Sequence, residues 1–153
     1  MTIAIGADHG GYRLKSNIVP LLEGLGYEVH DLGTNSEAPV DYPDYALSVA
    51  QEVIMKKADR GILICGSGVG ACVAANKFPG IRAAICHDTF SAHQGVEDDD
   101  INVLCLGARV VGPELAKDIV KMWLAARFSE AERHKRRLGK VEKIEKEFLR
   151  KQT

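Results

Sequence analysis

Ile62-Leu63-Ile64-Cys65-Gly66-Ser67-Gly68-Val69-Gly70 is a short apolar run that stops abruptly in glycines. A run of this length, bounded by glycine, reads as a buried strand over Gly61–Cys65. The alanine-rich stretch Gly70–Lys77 that follows reads as a short helix. Strand, glycine loop and helix in succession form the repeating unit of a parallel α/β sheet.

The same alternation continues on both sides. Thr2–Gly6 reads as a strand. Tyr12–Leu25 reads as a helix with Leu14, Ile18, Leu21, Leu22 and Leu25 on one face. Pro20 is expected to kink or shorten it, and Gly26 to stop it. Glu28–Leu32 is a second strand, followed by a polar loop over Gly33–Pro39. Tyr45–Lys57 has helical period through Leu47, Val49, Ala50, Val53 and Ile54. Arg82–Cys86 and Val103–Leu106 are two more strands. Glu114–Ala126 is helical, with Pro113 at its first turn. Glu130–Arg150 is a charged helix with an apolar stripe of Leu138, Val141, Ile144 and Phe148. Glu97-Asp98-Asp99-Asp100 reads as a solvated turn in an irregular loop.

Near-continuous apolar strands alternating with helices predict a three-layer α/β/α sandwich. Its open, mainly parallel, five-stranded sheet is Rossmann-like and covered on both faces. The 153 residues, 46% of them hydrophobic, suit one domain over 1–153. A formal net charge of −1 gives no global attraction to nucleic acid or to an acidic membrane. No apolar run approaches the roughly 20 residues of a membrane span. The start, Met1-Thr2-Ile3-Ala4-Ile5-Gly6, lacks the charged and long apolar regions of a signal peptide. These features predict a cytoplasmic protein. The cysteines Cys65, Cys72, Cys86 and Cys105 contain no C-x-x-C pair and no zinc spacing. Cys72, Cys86 and Cys105 read as buried packing thiols.

Ligands of such sheets bind beyond the carboxyl ends of the strands. Those ends lead into Ala7-Asp8-His9-Gly10-Gly11, Gly66–Gly70, His87-Asp88 and Gly107-Ala108-Arg109. Glycines after a strand let backbone N–H groups approach an anion, either a phosphate or an oxyanion formed in a reaction. Cys65 faces that field, which favours its thiolate; as a plain core residue it would occupy the same position. Gly66-x-Gly68-x-x-Ala71 with Asp88 also matches a loose dinucleotide fingerprint, but it follows the third strand rather than the first. Arg133 and Arg137 are spaced i, i+4, so two guanidiniums on one helix face suit a phosphate. Glu132, Glu142, Glu145 and Glu147 on the same helix speak against a nucleic-acid stripe. The acids at 97–100 have no complementary ligands, so no metal is expected.

Several of these segments together resemble the type B ribose-5-phosphate isomerase family, which includes the bacterial galactose-6-phosphate isomerase subunits. The markers are Gly6–Gly11, Asp41-Tyr42-Pro43, Gly61–Gly70, Ala75-Asn76-Lys77, Pro79–Ala83, Gly107–Gly112, and Arg133-His134 with Arg137. The resemblance implies a cofactor-free aldose–ketose isomerase of a phosphorylated sugar. Cys65 corresponds to the base that moves a proton between C1 and C2. Gly66, Ser67, Gly68, Val69 and Gly70 correspond to the loop that stabilises the enediolate, with serine where threonine is usual. Asp8, His9, Tyr42, Arg109, Arg133 and Arg137 fall at positions that contact substrate or phosphate. The family forms dimers or dimer pairs with sites at subunit interfaces. A homodimer or homotetramer is therefore implied, with the helix at about 130–150 packing on a partner subunit.

The chain departs from that family where His-Asn is usual and Asp98-Asp99 stand instead. The usual histidine helps to open the furanose ring. Asp98 would serve as that acid or base on ribose 5-phosphate, with Asp99 beside the substrate. Alternatively the substrate is a tetrose 4-phosphate, which cannot close a five-membered ring. His93 lies five residues upstream. A hexose 6-phosphate, or a non-catalytic sugar-phosphate sensor, are the other readings.

Overall fold

The five segments expected as strands pair in one sheet. A computed structural model describes residues 1–148; the expected extension of the last helix to Arg150 lies outside the described residues. In chain order the elements are β1 (Thr2–Ala7), α1 (Tyr12–Gly24), β2 (Glu28–Asp31), α2 (Tyr42–Ile54), β3 (Arg60–Cys65), α3 (Val69–Ala75), β4 (Ala83–Ile85), α4 (Thr89–Asp99), β5 (Val103–Gly107), α5 (Pro113–Ala125) and α6 (Glu132–Phe148). The strand order is β2-β1-β3-β5-β4, and every pairing is parallel.

Strand side chains alternate between faces, and both faces are buried. Ile3, Ile5, Ile62, Ile64, Leu104 and Leu106 pack with α1, α4 and α5 around Trp123. Ala4, Leu63, Cys65, Val103 and Cys105 pack with α2 and α3. This is the expected three-layer sandwich. The approach of α2 to β3 is close: a Cβ on Gly61 would lie 2.5 Å from Val49 Cγ1.

Three local expectations change. Helix α1 runs through Pro20, which lies on the exposed face. There water can serve the Ser16 carbonyl that the proline leaves without a donor. The helix ends as expected: Gly26 has φ +85°, and Tyr27 N–H donates to Leu22 O at 3.1 Å, the closing bond of a Schellman turn. Helix α2 starts at Tyr42, three residues earlier than its apolar period indicates. Pro43 fits the first turn because no partner is needed for its missing N–H there. Helix α4 replaces the expected irregular loop. The Asp88 side chain caps it by accepting the Ser91 N–H at 2.6 Å, and that bond holds the Asp88 carboxyl below its usual range. Ala92 and Val96, one turn apart, are buried. The acids hid this helix: Glu97–Asp99 occupy its last turn, where the helix dipole disfavours them.

His30 on β2 packs its Nδ1 2.8 Å from Glu52 Oε2 on α2, and this bond raises its pKa above the usual value. A raised folded pKa stabilises below the unfolded value of about 6.5 and is lost as pH rises through the raised value. His30→Asn is therefore expected to lower the melting temperature more at pH 6 than at pH 9. Equal losses at both pH values in thermal melts would remove the linkage.

Candidate active site

The chain leaves β1 towards β2 on one side and reaches β3 on the other. The loops after β1 and β3 therefore part at a topological switch point, where α/β sheets take ligands. A cleft of about 350 Å³ opens there, lined by Asp8, His9, Gly10, Tyr42, Cys65, Gly66, Ser67, Gly70, Arg109 and Val110.

Each wall is fixed by backbone bonding. Cys65, at the carboxyl end of β3, is 4% exposed, and the Gly68 N–H donates to its Sγ at 3.1 Å. Gly68 makes this turn at φ +81°, with Leu106 and Gly107 backbone atoms 3.1–3.3 Å from where a Cβ would stand. The left-handed conformation and the crowding both require glycine. The Val69 N–H goes to Ser67 Oγ at 3.2 Å. The Gly68 and Val69 N–H groups are thus engaged within the loop itself. Helix α3 has only seven residues, so local N–H groups matter here more than a long helix dipole.

Asp8 is buried, and its Oδ1 accepts the Gly11 N–H at 3.1 Å. His9 Nδ1 accepts the Val40 N–H at 3.2 Å. That bond assigns the proton to Nε2 if the ring is neutral. Tyr42 opens α2, with its ring against Gly70; a Cβ on Gly70 would lie 2.6 Å from the ring. The β5 turn is stitched to the β3 loop by Ala108 N–H to Cys65 O at 2.9 Å and Arg109 N–H to Gly66 O at 3.0 Å. The Arg109 guanidinium consequently lies over Gly66. The cleft thus combines a thiol, a carboxylate, an imidazole and a guanidinium around a glycine loop.

Cys65, Ser67, Asp8, His9, Tyr42, Gly66, Gly70 and Arg109 are brought together as expected. Gly10 and Val110 also line the cleft; each sits beside an expected residue in the same loop. Gly68 shapes the loop from behind, and Val69 is exposed away from the cleft. Asp98, Asp99, Arg133 and Arg137 do not join this cleft. Asp98 Oδ1 lies 3.2 Å from His134 Nε2. Asp99 borders an apolar groove of about 500 Å³ between α6 and the β4 edge. Arg133 and Arg137 are exposed on α6. His93 pairs with Glu97 at 3.3 Å along α4. Asp88 is consumed as a helix cap, which removes the acid from the dinucleotide pattern.

Cys86 and Cys105 are buried as expected, and one thiol differs. Cys72 is only half-buried. A hydrogen bond with the Cys105 thiol lowers its pKa to about 7, while Cys105 is pushed well up by the same contact. Burial raises Cys86 to about 11. Among the described residues, no group of three or more His, Cys, Asp or Glu is arranged to hold a metal ion. Among them, no helix is long and apolar enough to cross a membrane.

Residues 3–141 match the sequence profile of the Ribose/Galactose Isomerase family. The chain belongs to this family. It is 50% identical to the ribose-5-phosphate isomerase B of Escherichia coli over 143 residues, covering 94% of this chain and 95% of that one. It is 47% identical to the D-erythrulose-4-phosphate isomerase of Pectobacterium atrosepticum over 130 residues, 84% and 85% of the two chains. The solved structure of the Clostridium thermocellum ribose-5-phosphate isomerase B superposes with a TM-score of 0.94 at 52% identity, covering 97% and 99%. Family membership makes the protein an aldose–ketose isomerase, and the shared fold agrees with the expected Rossmann-like sheet.

Proposed function

We propose that the protein interconverts an aldose and a ketose phosphate through an enediolate, with ribose 5-phosphate as substrate. The observation that carries this is the Cys65 sulfur in the cleft, with the Gly68 N–H on it and the Arg109 guanidinium over the adjoining Gly66. Cys65 takes the proton from the carbon next to the carbonyl and returns it to the neighbouring carbon. One base suffices for the carbon-bound proton, because the group that takes it from one carbon returns it to the next. The loop N–H groups of Gly66, Ser67 and Gly70 stabilise the oxyanion as it forms. Asp8, His9 and Tyr42 hold the sugar hydroxyls.

The phosphate requires more cationic groups than Arg109 alone. Arg133 and Arg137 supply them from a second copy of the chain, whose α4–α6 face, with Asp98 and Asp99, closes the cleft. The resemblance supports such a shared site, and the separation of the two residue sets within one chain is in accord with it. Remote phosphate binding then orients the reacting carbons.

A second reading is a tetrose 4-phosphate. It is favoured by the bonding of Asp98: one carboxylate oxygen faces His134, and the other accepts from Gln94 at 2.6 Å. A carboxylate so engaged is a poor ring-opening acid, and a tetrose 4-phosphate needs none. The name of the Pectobacterium relative gives this reading a precedent.

The test is turnover of ribose 5-phosphate and erythrose 4-phosphate side by side by the purified protein, without added metal or cofactor. The expected result is dominant turnover of the pentose. Turnover of the tetrose alone would transfer the assignment to the second reading, and turnover of neither would remove both.

A further inference from the structure

The 17-residue helix α6 has one buried residue, His134, which is 4% exposed. Its ring stands in a chain of four polar groups. Asp98 Oδ1, an acceptor, lies 3.2 Å from His134 Nε2, which places a ring proton there. In the neutral ring Nδ1 then accepts from Ser129 Oγ at 2.6 Å, and the same Oγ accepts the Ala131 N–H at 3.2 Å. Asp98 Oδ2 in turn accepts from Gln94 at 2.6 Å. The Ser129 N–H donates to Glu97 O at 3.0 Å, tying the approach to α6 onto the end of α4. The order of hydroxyl, imidazole and carboxylate matches a hydrolytic triad, yet the sealed ring leaves no open side for a substrate. What this chain of bonds holds is a helix.

Among the described residues, the other polar attachment of α6 is Glu145, which accepts the Gly80 N–H at 2.9 Å. It lies eleven residues on, about 16 Å along the axis. Near its N-terminus, the rotation of α6 about its own axis is set by His134. Arg133 precedes His134 and Arg137 follows one turn later, both exposed. At about 100° per residue, any roll of α6 swings both guanidiniums together.

We infer that His134 is a positioning residue for phosphate binding: through its Asp98 contact it fixes the azimuth of Arg133 and Arg137. The inference rests on the reading that these arginines hold the substrate phosphate. It also assigns Asp98 a positioning role, in place of the acid–base role that its sequence position implies.

The experiment measures KM and kcat for the sugar phosphate and the inhibition constant of inorganic phosphate, on the full-length protein. His134→Ala is expected to raise KM and the phosphate inhibition constant about tenfold each, with kcat changed less than about threefold. His134→Gln keeps an N–H donor and should recover most of the affinity. Asp98→Asn keeps an acceptor for His134 and should leave the phosphate inhibition constant near its wild-type value. Asp98→Ala should reproduce His134→Ala, and the double alanine variant should be no worse than either single one. If His134→Ala does not fold, Asp98→Ala and His134→Gln carry the comparison. Arg137→Ala is the reference. If it raises the phosphate inhibition constant and the His134 and Asp98 variants do not, the positioning role is overturned while the arginine reading stands. If Arg137→Ala itself changes nothing, the arginine reading falls and the inference falls with it. A large kcat loss in Asp98→Asn would return Asp98 to acid–base chemistry.

Discussion

Cys65→Ala is expected to reduce kcat/KM by at least about a thousandfold, the upper range for removal of a positioned base. No other thiol can substitute, because Cys72, Cys86 and Cys105 lie outside the cleft. The fold should survive. The substitution deletes one sulfur from a 4% exposed site, a loss on the order of 1 kcal/mol, or about 2–4 °C in melting temperature for a chain of this size. Binding of the sugar phosphate should persist, since the loop N–H groups and Arg109 remain. Thermal melts, turnover and ligand titration on one preparation separate the three quantities. Activity within tenfold of wild type would exclude Cys65 as the base and move the proton transfer to another group of the cleft.

Gly11→Ala is expected to cost the most stability of any single methyl added near the cleft. Its Cβ would stand 2.2 Å from the Ile64 carbonyl oxygen and 2.5 Å from the carbonyl carbon. Both are backbone atoms of β3, so no side chain can rotate out of the way. The Asp8–Gly11 turn would have to lift off the sheet, breaking the 3.1 Å bonds from the Gly11 N–H to Asp8. A cost of about 3 kcal/mol corresponds to a fall of roughly 6–12 °C. Activity should fall too, since Asp8 and His9 move with the turn. Gly24→Ala is the control: nothing lies within 4 Å of its Cβ, and the same methyl in helix α1 should leave the melt unchanged or raise it slightly. Equal, small effects of both substitutions would show that the turn yields more easily than this geometry allows.

The sheet was legible because β1, β3, β4 and β5 are near-continuous apolar runs closed by glycine or by polar residues; β2, with Val29 as its one apolar residue, is the exception. The residue types at the strand ends carried the cleft: Asp8-His9, Cys65 with its glycines, and Arg109 sit where a parallel sheet presents ligand-binding loops. Helix α4 was not legible. Its short apolar contribution, Ala92 and Val96, is interrupted by His93, Gln94 and Gly95, and its end is acidic. Without α4, the environment of Asp98 could not be read. Asp98 is 36 residues from His134 in sequence, and nothing local marks either as the partner of the other. The same limit applies to Arg133 and Arg137: their i, i+4 spacing indicates a shared face but not what that face meets. The early start of α2 is a smaller case. There Pro43 is a first-turn residue although the apolar period begins only after it.

The place of β5 has a consequence for how the molecule is made. It is the last strand among the described residues, yet it lies inside the sheet, between β3 and β4. Until Val103–Gly107 has left the ribosome, β3 and β4 have no common neighbour, and each shows an open row of N–H and C=O groups. The nascent chain thus carries the Cys65 loop before it carries the strand that supports it. Ala108 and Arg109, whose N–H groups pin that loop, emerge only afterwards. Premature termination before residue 103 would leave two adhesive edges and no finished cleft, a species suited to chaperone capture and degradation.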